Sequence, residues 1–104
     1  MRNLSSLRNN YLLRNKILDI FKDGNPHTAV EVEDRCVCYC KPETIARMGR
    51  IRQGSDLSLR RHHVRCTITP MVTGYNKNIK ILRSFTDGAG ATAHELLPDI
   101  DPAA

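Results

Sequence analysis

The stretch ETIARMGRIRQGSDLSLRRHHVRC, residues 43–66, decides the fold of this chain. In its first half, Ile45 and Met48 lie on one side of a helix, and Arg47 and Arg50 lie on the other. Gly54 is placed to end that helix in a left-handed cap. Beyond Gly54 the apolar residues alternate with polar ones, which is typical of a β-strand. The stretch therefore predicts a basic helix followed by a basic strand.

The positive charge of the chain is concentrated in two segments. The formal net charge is +5, and the segment 41–65 carries seven basic and two acidic residues. Residues 1–22 carry five basic residues and one acidic residue, whereas the segments 23–40 and 86–104 are net acidic. A charge distribution polarised in this way steers a protein toward phosphate. The pattern favours a partner that is a polyanion.

Length and composition limit the chain to one small domain. With 104 residues, 40% of them hydrophobic and none of them Trp, the chain can bury one modest core. We assign residues 1–85 to this domain and residues 86–104 to a Gly- and Ala-rich linker and acidic tail, with a short turn of helix at 92–97. No segment has the length and apolarity of a membrane span or signal peptide, so we expect a cytoplasmic protein.

Three helices are predicted before Gly54. The first covers residues 10–22, because apolar residues recur at helical spacing until Gly24 and Pro26. The second covers residues 29–36, with Thr28 as N-cap and Glu31 in capping-box position, although the local alternation leaves a strand as the alternative. The third begins at Pro42, a residue favoured at the first helical position.

A hairpin is predicted to follow these helices. One strand covers residues 57–68, with a parity break at 60–63, and Pro70 ends it. Gly and Asn in the segment 73–78 supply a turn, and residues 79–85 return as the second strand. Three helices followed by a basic hairpin is the order of a winged helix-turn-helix domain, an α+β fold.

A set of residues between the second helix and the first strand matches a recurrent motif, T-A/P-x-E-A followed by I/A-A-R-x-x-x-L/I-R-x-x-G-x-D/N-I. The matching residues are Thr28, Ala29, Glu31, Val32, Ile45, Ala46, Arg47, Ile51, Arg52, Gly54, Asp56 and Leu57. Over residues 15–85 the chain thereby resembles the small phage winged helix-turn-helix DNA-binding family. The resemblance implies a transcription regulator of a phage or mobile element.

The geometry of such a domain assigns roles to the basic residues. A recognition helix buries its apolar side and enters the major groove with the other, where arginines reach guanine edges or phosphates. We therefore expect a double-stranded DNA site in which Arg47 and Arg50 face the groove, Lys41 and Thr44 contact phosphate, and the hairpin wing grips the backbone. The wing cations are Arg60, Arg61, Arg65 and Lys77.

A second class of function fits the same residues. A winged-helix protein can bind and inhibit another protein, such as a host defence or replication factor, through its basic face or its acidic tail. In either class we expect a homodimer, because one short helix-turn-helix reads few base pairs and symmetry doubles its contacts. The first helix or the segment 93–97 is the expected interface.

The cysteines and histidines do not predict an enzyme or a cofactor. Cys36, Cys38 and Cys40 are each two positions apart, whereas structural zinc sites use wider spacings, so a zinc site completed by Cys66, His62 or His63 is the weaker interpretation. We expect reduced thiols, with Cys36 and Cys66 as small core residues. The glycine-rich segment 87–92 lacks the lysine of a phosphate-binding loop, and nothing activates a particular Cys–His pair.

Overall fold

The computed structural model describes residues 1–103 and is an α+β domain. Its helices are α1 (Leu12–Ile20), α2 (Ala29–Cys36), α3 (Pro42–Gly49) and α4 (Asp56–Thr73). Its strands are β1 (Arg2–Asn3), β2 (His27–Thr28), β3 (Leu82–Thr86), β4 (Thr92–Leu96) and β5 (Ile100–Asp101). Short 3-10 turns occupy Leu4–Leu7, Phe21–Asp23, Val37–Tyr39 and Tyr75–Lys77.

The strands form two small sheets. The antiparallel sheet has the order β2-β4-β3, with Thr28 opposite Ala93 and Ser84 opposite His94. The parallel pair β1 and β5 joins the two ends of the chain. There the Arg2 Nε donates to the Asp99 carboxylate at 2.7 Å.

The core lies between the helices and the strands. Ile17, Leu18 and Phe21 of the first helical segment are fully buried, and they share the core with side chains of every other layer. Those side chains include Leu4, Val32, Cys36, Ile45, Val64, Ile68, Met71, Ile81, Leu82 and Ile100. No helix within residues 1–103 is both long and apolar enough to cross a membrane.

The structure confirms the three predicted helices. The Glu31 backbone N–H donates to the Thr28 Oγ1 at 3.1 Å, so Thr28 is the N-cap of α2. Pro42 occupies the first turn of α3. The predicted end of α3 was wrong, because the helix stops at Gly49, five residues before Gly54. Ile51, which follows the end of the helix, is 83% exposed.

The predicted hairpin from residue 57 to residue 85 was wrong, since residues 56–73 form α4. The Ser58 backbone N–H donates to the Ser55 Oγ at 3.1 Å, which caps the helix, and Asp56 adds a favourable charge to its first turn. The buried positions of α4 are Leu59, Val64, Ile68 and Met71, and the last three recur at intervals of four and three residues, which is a helical spacing.

The observed hairpin lies further along the chain. β3 pairs with β4 over five residues, so the segment 92–97, predicted as a turn of helix, is mostly strand. Ala93 and His94 of β4 are buried. Residues 57–68 form a helix rather than a strand because Ser55 caps the start of α4, and Val64, Ile68 and Met71 recur at helical spacing and are buried.

Candidate nucleic-acid interface

The outer side of α3 presents cations to solvent. Ile45 is buried and fixes the helix against the core, while Lys41, Arg47 and Arg50 are exposed. Within residues 1–103, none of these three side chains forms a salt bridge. Thr44 is half-buried beside them. This short helix therefore carries positive charge that is available to an external anion.

Arg60 has a structural environment on α4. Its Nε donates to the Asp56 carboxylate at 2.7 Å, one helical turn away. Its Nη1 donates to the Val37 carbonyl at 3.1 Å and to the Cys40 carbonyl at 3.4 Å. The side chain is only 23% exposed. Arg60 therefore ties α4 to the turn between α2 and α3.

Arg61 and Arg65 are paired with acidic residues of α2. The Arg65 Nη1 donates to the Glu33 Oε1 at 2.8 Å, and the Arg61 Nη1 lies 3.8 Å from the same oxygen. Arg61 also bonds to the Asp34 carboxylate. The Glu33 side chain is 6% exposed, so α4 supplies the positive charge that this buried carboxylate needs.

The predicted wing of cations is therefore not formed by a hairpin. Arg60, Arg61 and Arg65 lie on α4. Arg60 contacts the turn after α2, whereas Arg61 and Arg65 contact carboxylates of α2 itself. Lys77 lies in the 3-10 turn after α4, exposed and with a positive φ of 64°. The structure thus brings Lys41, Thr44 and Arg47 together beside one groove. The α4 arginines differ from them because each is paired with a carboxylate of the protein.

A groove of about 470 Å³ lies beside α3, between the start of α1 and the middle of α4. Lys41, Thr44 and Arg47 line it together with Arg14 and Tyr11. The sequence interpretation missed Arg14 and Tyr11 as site residues. Their only signal was membership of the basic segment 1–22, which does not reveal that the start of α1 packs near α3.

Arg14 and His63 are the partly buried polar groups of this groove. The Arg14 Nη1 donates to the Leu7 carbonyl at 2.5 Å, and burial lowers the pKa of its guanidinium. Burial, followed by the nearby charge of His62, lowers the pKa of His63. The ring of Tyr39, which lines the groove, has the Lys16 Nζ 5.0 Å from its centre. Burial thus disfavours the protonated form of both Arg14 and His63.

The cysteines divide into two buried and two exposed thiols. Burial raises the pKa of Cys36 to about 11, and burial also raises the pKa of Cys40. Cys66 is exposed, so its predicted place in the core was wrong; its Sγ lies 3.3 Å from the His62 Nε2. Among residues 1–103, no three His, Cys, Asp or Glu side chains cluster in a way that could hold a metal ion.

Comparison of the chain with protein-family models, with curated proteins and with solved structures gives no match.

Proposed function

We propose that this protein binds double-stranded DNA, with the outer side of α3 in the major groove. The observation that carries the proposal is the presence of three exposed, unpaired cations on one short helix and its two cap residues: Lys41 at the N-cap, Arg47 in the helix and Arg50 at the C-cap. Arg47 and Arg50 are three residues apart, so they share a helical face and can reach adjacent base edges. Lys41 and Thr44, near the helix N-terminus, are suited to a phosphate.

The order of elements supports a variant of the small phage winged helix-turn-helix architecture. In that architecture a hairpin follows three helices. Here β2 precedes α2 and pairs with β4, the second strand of the β3–β4 hairpin. In this proposal α4 is an additional helix between the recognition helix and the hairpin, and the protein is a regulator of a phage or mobile element.

The proposed phosphate contacts lie on α3 more than on the hairpin. Arg83 of β3 donates to the Glu95 carboxylate of β4 at 2.6 Å, so the hairpin neutralises part of its own charge. Lys77 and Lys80 are exposed in the connection before β3 and make no salt bridge within the described part of the chain. They are the best candidates for a secondary contact with the backbone.

Substitution of the outer arginines of α3 tests the proposal. On the tightest-binding duplex from a selection with random DNA, Arg47→Ala or Arg50→Ala should weaken binding by about 1–3 kcal/mol, because a base-edge contact is lost. The substitutions should also relax the sequence preference. Both residues are exposed, so the thermal midpoint should remain close to that of the wild type.

Arg83→Ala is the matched control for charge. Arg83 is also exposed, but it pairs with Glu95 on the sheet, so its loss should leave duplex affinity close to wild type. Equal affinities for the wild type and both α3 variants, measured by fluorescence anisotropy, would contradict the placement of α3 in DNA.

A further inference from the structure

The groove beside α3 has a lining of one charge sign. Its charged residues are Arg14, Lys41 and Arg47, and no acidic residue lines it. None of the three forms a salt bridge within residues 1–103. Outside the groove, Arg2, Arg60, Arg61 and Arg65 are paired with carboxylates, whereas Arg50, Lys77 and Lys80 are unpaired on the exposed surface of the described chain. An unpaired set of cations around a concave site is a receptor for negative charge.

The floor and walls of the groove are apolar and aromatic. Leu13 and Met71 are buried at its base, whereas Tyr11 and Ile79 stand exposed at its edge, with 69% and 53% of their surface accessible. A volume of about 470 Å³ falls in the range of sites for small organic ligands. The ligand that fits such a lining has an apolar body and an anionic group.

Arg14 gives the anion a specific position. Its guanidinium is partly buried, and its one protein partner is the Leu7 carbonyl, a neutral acceptor. Burial of a cation without a counter-charge is unfavourable, and burial accordingly lowers its pKa. A carboxylate or sulfonate beside Arg14 would supply the missing charge and accept its remaining N–H groups.

We propose that this groove binds a small organic anion with an apolar body, and that the bound anion competes with DNA for Lys41 and Arg47. The first part depends only on the groove. The second part rests on the proposed function, because it requires α3 to contact DNA with residues that also line the groove. Ligand occupancy would then release the protein from DNA.

The aromatic sulfonate 8-anilinonaphthalene-1-sulfonate is a suitable probe, because its fluorescence rises in an apolar site. The wild-type protein should bind one equivalent saturably at neutral pH. Ile79 is exposed at the edge of the groove, so it accepts charged substitutions without loss of the core. The affinity for the probe should be at least about fivefold lower in Ile79→Glu than in Ile79→Lys, because the two variants place opposite charges at the same position.

A second pair of variants tests the volume of the groove. Thr67→Phe places a ring in the groove and should abolish saturable binding. Thr69→Phe adds the same ring to the same helix but faces a different, smaller cavity, so it should leave binding unchanged. Equal probe affinity in Ile79→Glu and Ile79→Lys, or loss of binding in Thr69→Phe with Thr67→Phe unaffected, would overturn the proposal. The Ile79 pair decides the question even if Thr67→Phe does not fold.

Competition experiments separate this inference from the proposed function. Saturating probe should lower the affinity of the wild-type protein for a labelled duplex at least about fivefold. It should not lower the duplex affinity of a Thr67→Phe variant that folds. If no duplex binds to the protein at any salt concentration, the proposed function fails while saturable probe binding still supports the groove. If a short oligothymidylate displaces the probe at lower concentration than naphthoate does, the small-anion assignment is overturned in favour of single-stranded nucleic acid.

Discussion

Glu33 is a buried carboxylate that two arginines of α4 neutralise. The sequence placed Glu33 in an acidic segment and Arg65 in a basic one, but it could not show that they meet, because their contact depends on the packing of α2 against α4. Local signals were more reliable. The Thr28 cap and the Pro42 helix start were predictable because each depends on residues within one turn.

The Glu33–Arg65 pair should be asymmetric in its effect on stability. Arg65→Met leaves the carboxylate of Glu33 buried with only Arg61 nearby, at 3.8 Å, and should cost about 1–3 kcal/mol. Glu33→Gln should cost less, because Arg65 is 51% exposed and water can solvate it. Urea unfolding measures both free energies. Arg35→Met, which removes an exposed pair with Glu31, is the control and should cost at most about 1 kcal/mol.

His94 should contribute to the acid sensitivity of the fold. It is 7% exposed, its Nδ1 lies 2.7 Å from the Ser84 Oγ, and burial lowers its pKa below the ordinary value of 6.5. Below pH 6.5 the unfolded chain therefore binds more protons at this residue than the native protein does. The free energy of unfolding should fall as the pH falls from 6.5 toward the lower native pKa.

The variant His94→Gln tests this dependence. It should flatten the decline of the free energy of unfolding between pH 7 and pH 5, although it should not abolish it, because the pKa values of His62 and His63 are lowered as well. Asp19, Asp23 and Asp99, whose pKa values lie below 3.8, act in a separate range at lower pH. An identical pH dependence in wild type and variant would show that His94 has the same pKa in the native and the unfolded protein, and would contradict the prediction.

At the scale of the elements, the sequence predicted α1, α2 and α3 but not α4. Over a few residues at a time, the alternation from Leu57 to Ile68 is typical of a strand. The helical spacing becomes visible only when Val64, Ile68 and Met71 are considered together. Tertiary burial of that longer pattern decides the outcome. Pro70 lies inside α4, where it removes one backbone hydrogen bond, the one to the Cys66 carbonyl, without ending the helix.

Removal of the cap should destabilise α4. The Ser55 Oγ accepts the Ser58 backbone N–H, so Ser55→Ala should lower the free energy of unfolding by about 0.5–2 kcal/mol. Ser58→Ala is the matched control, because Ser58 takes part through its backbone and its side chain is exposed. Chemical denaturation gives both values, and equal costs for the two variants would rule out the cap as the reason that α4 begins at Asp56.

At the scale of the whole molecule, the sequence predicted segregated charge but not its neutralisation. The segment 41–65 is basic in sequence, yet in the folded protein most of its cations fall into two groups, one paired and one facing solvent. Arg60, Arg61 and Arg65 face carboxylates or carbonyls, whereas Lys41, Arg47 and Arg50 face solvent. Three-dimensional pairing therefore decides which cations remain available to a polyanion.

This division predicts the salt dependence of DNA binding. Each phosphate neutralised by a cation contributes about 0.9 to the slope of log affinity against log salt concentration. Lys41→Gln should therefore lower the magnitude of that slope by about one, and it should lower the affinity for specific and random duplexes equally. Arg61→Gln should leave the slope unchanged, because Asp34 and Glu33 already balance the charge of Arg61 within the protein. Binding isotherms at several salt concentrations test both variants on one duplex. A slope that falls with Arg61→Gln and stays constant with Lys41→Gln would move the DNA contact from α3 to α4, since a phosphate would then have replaced the carboxylates of α2 as the partner of that arginine.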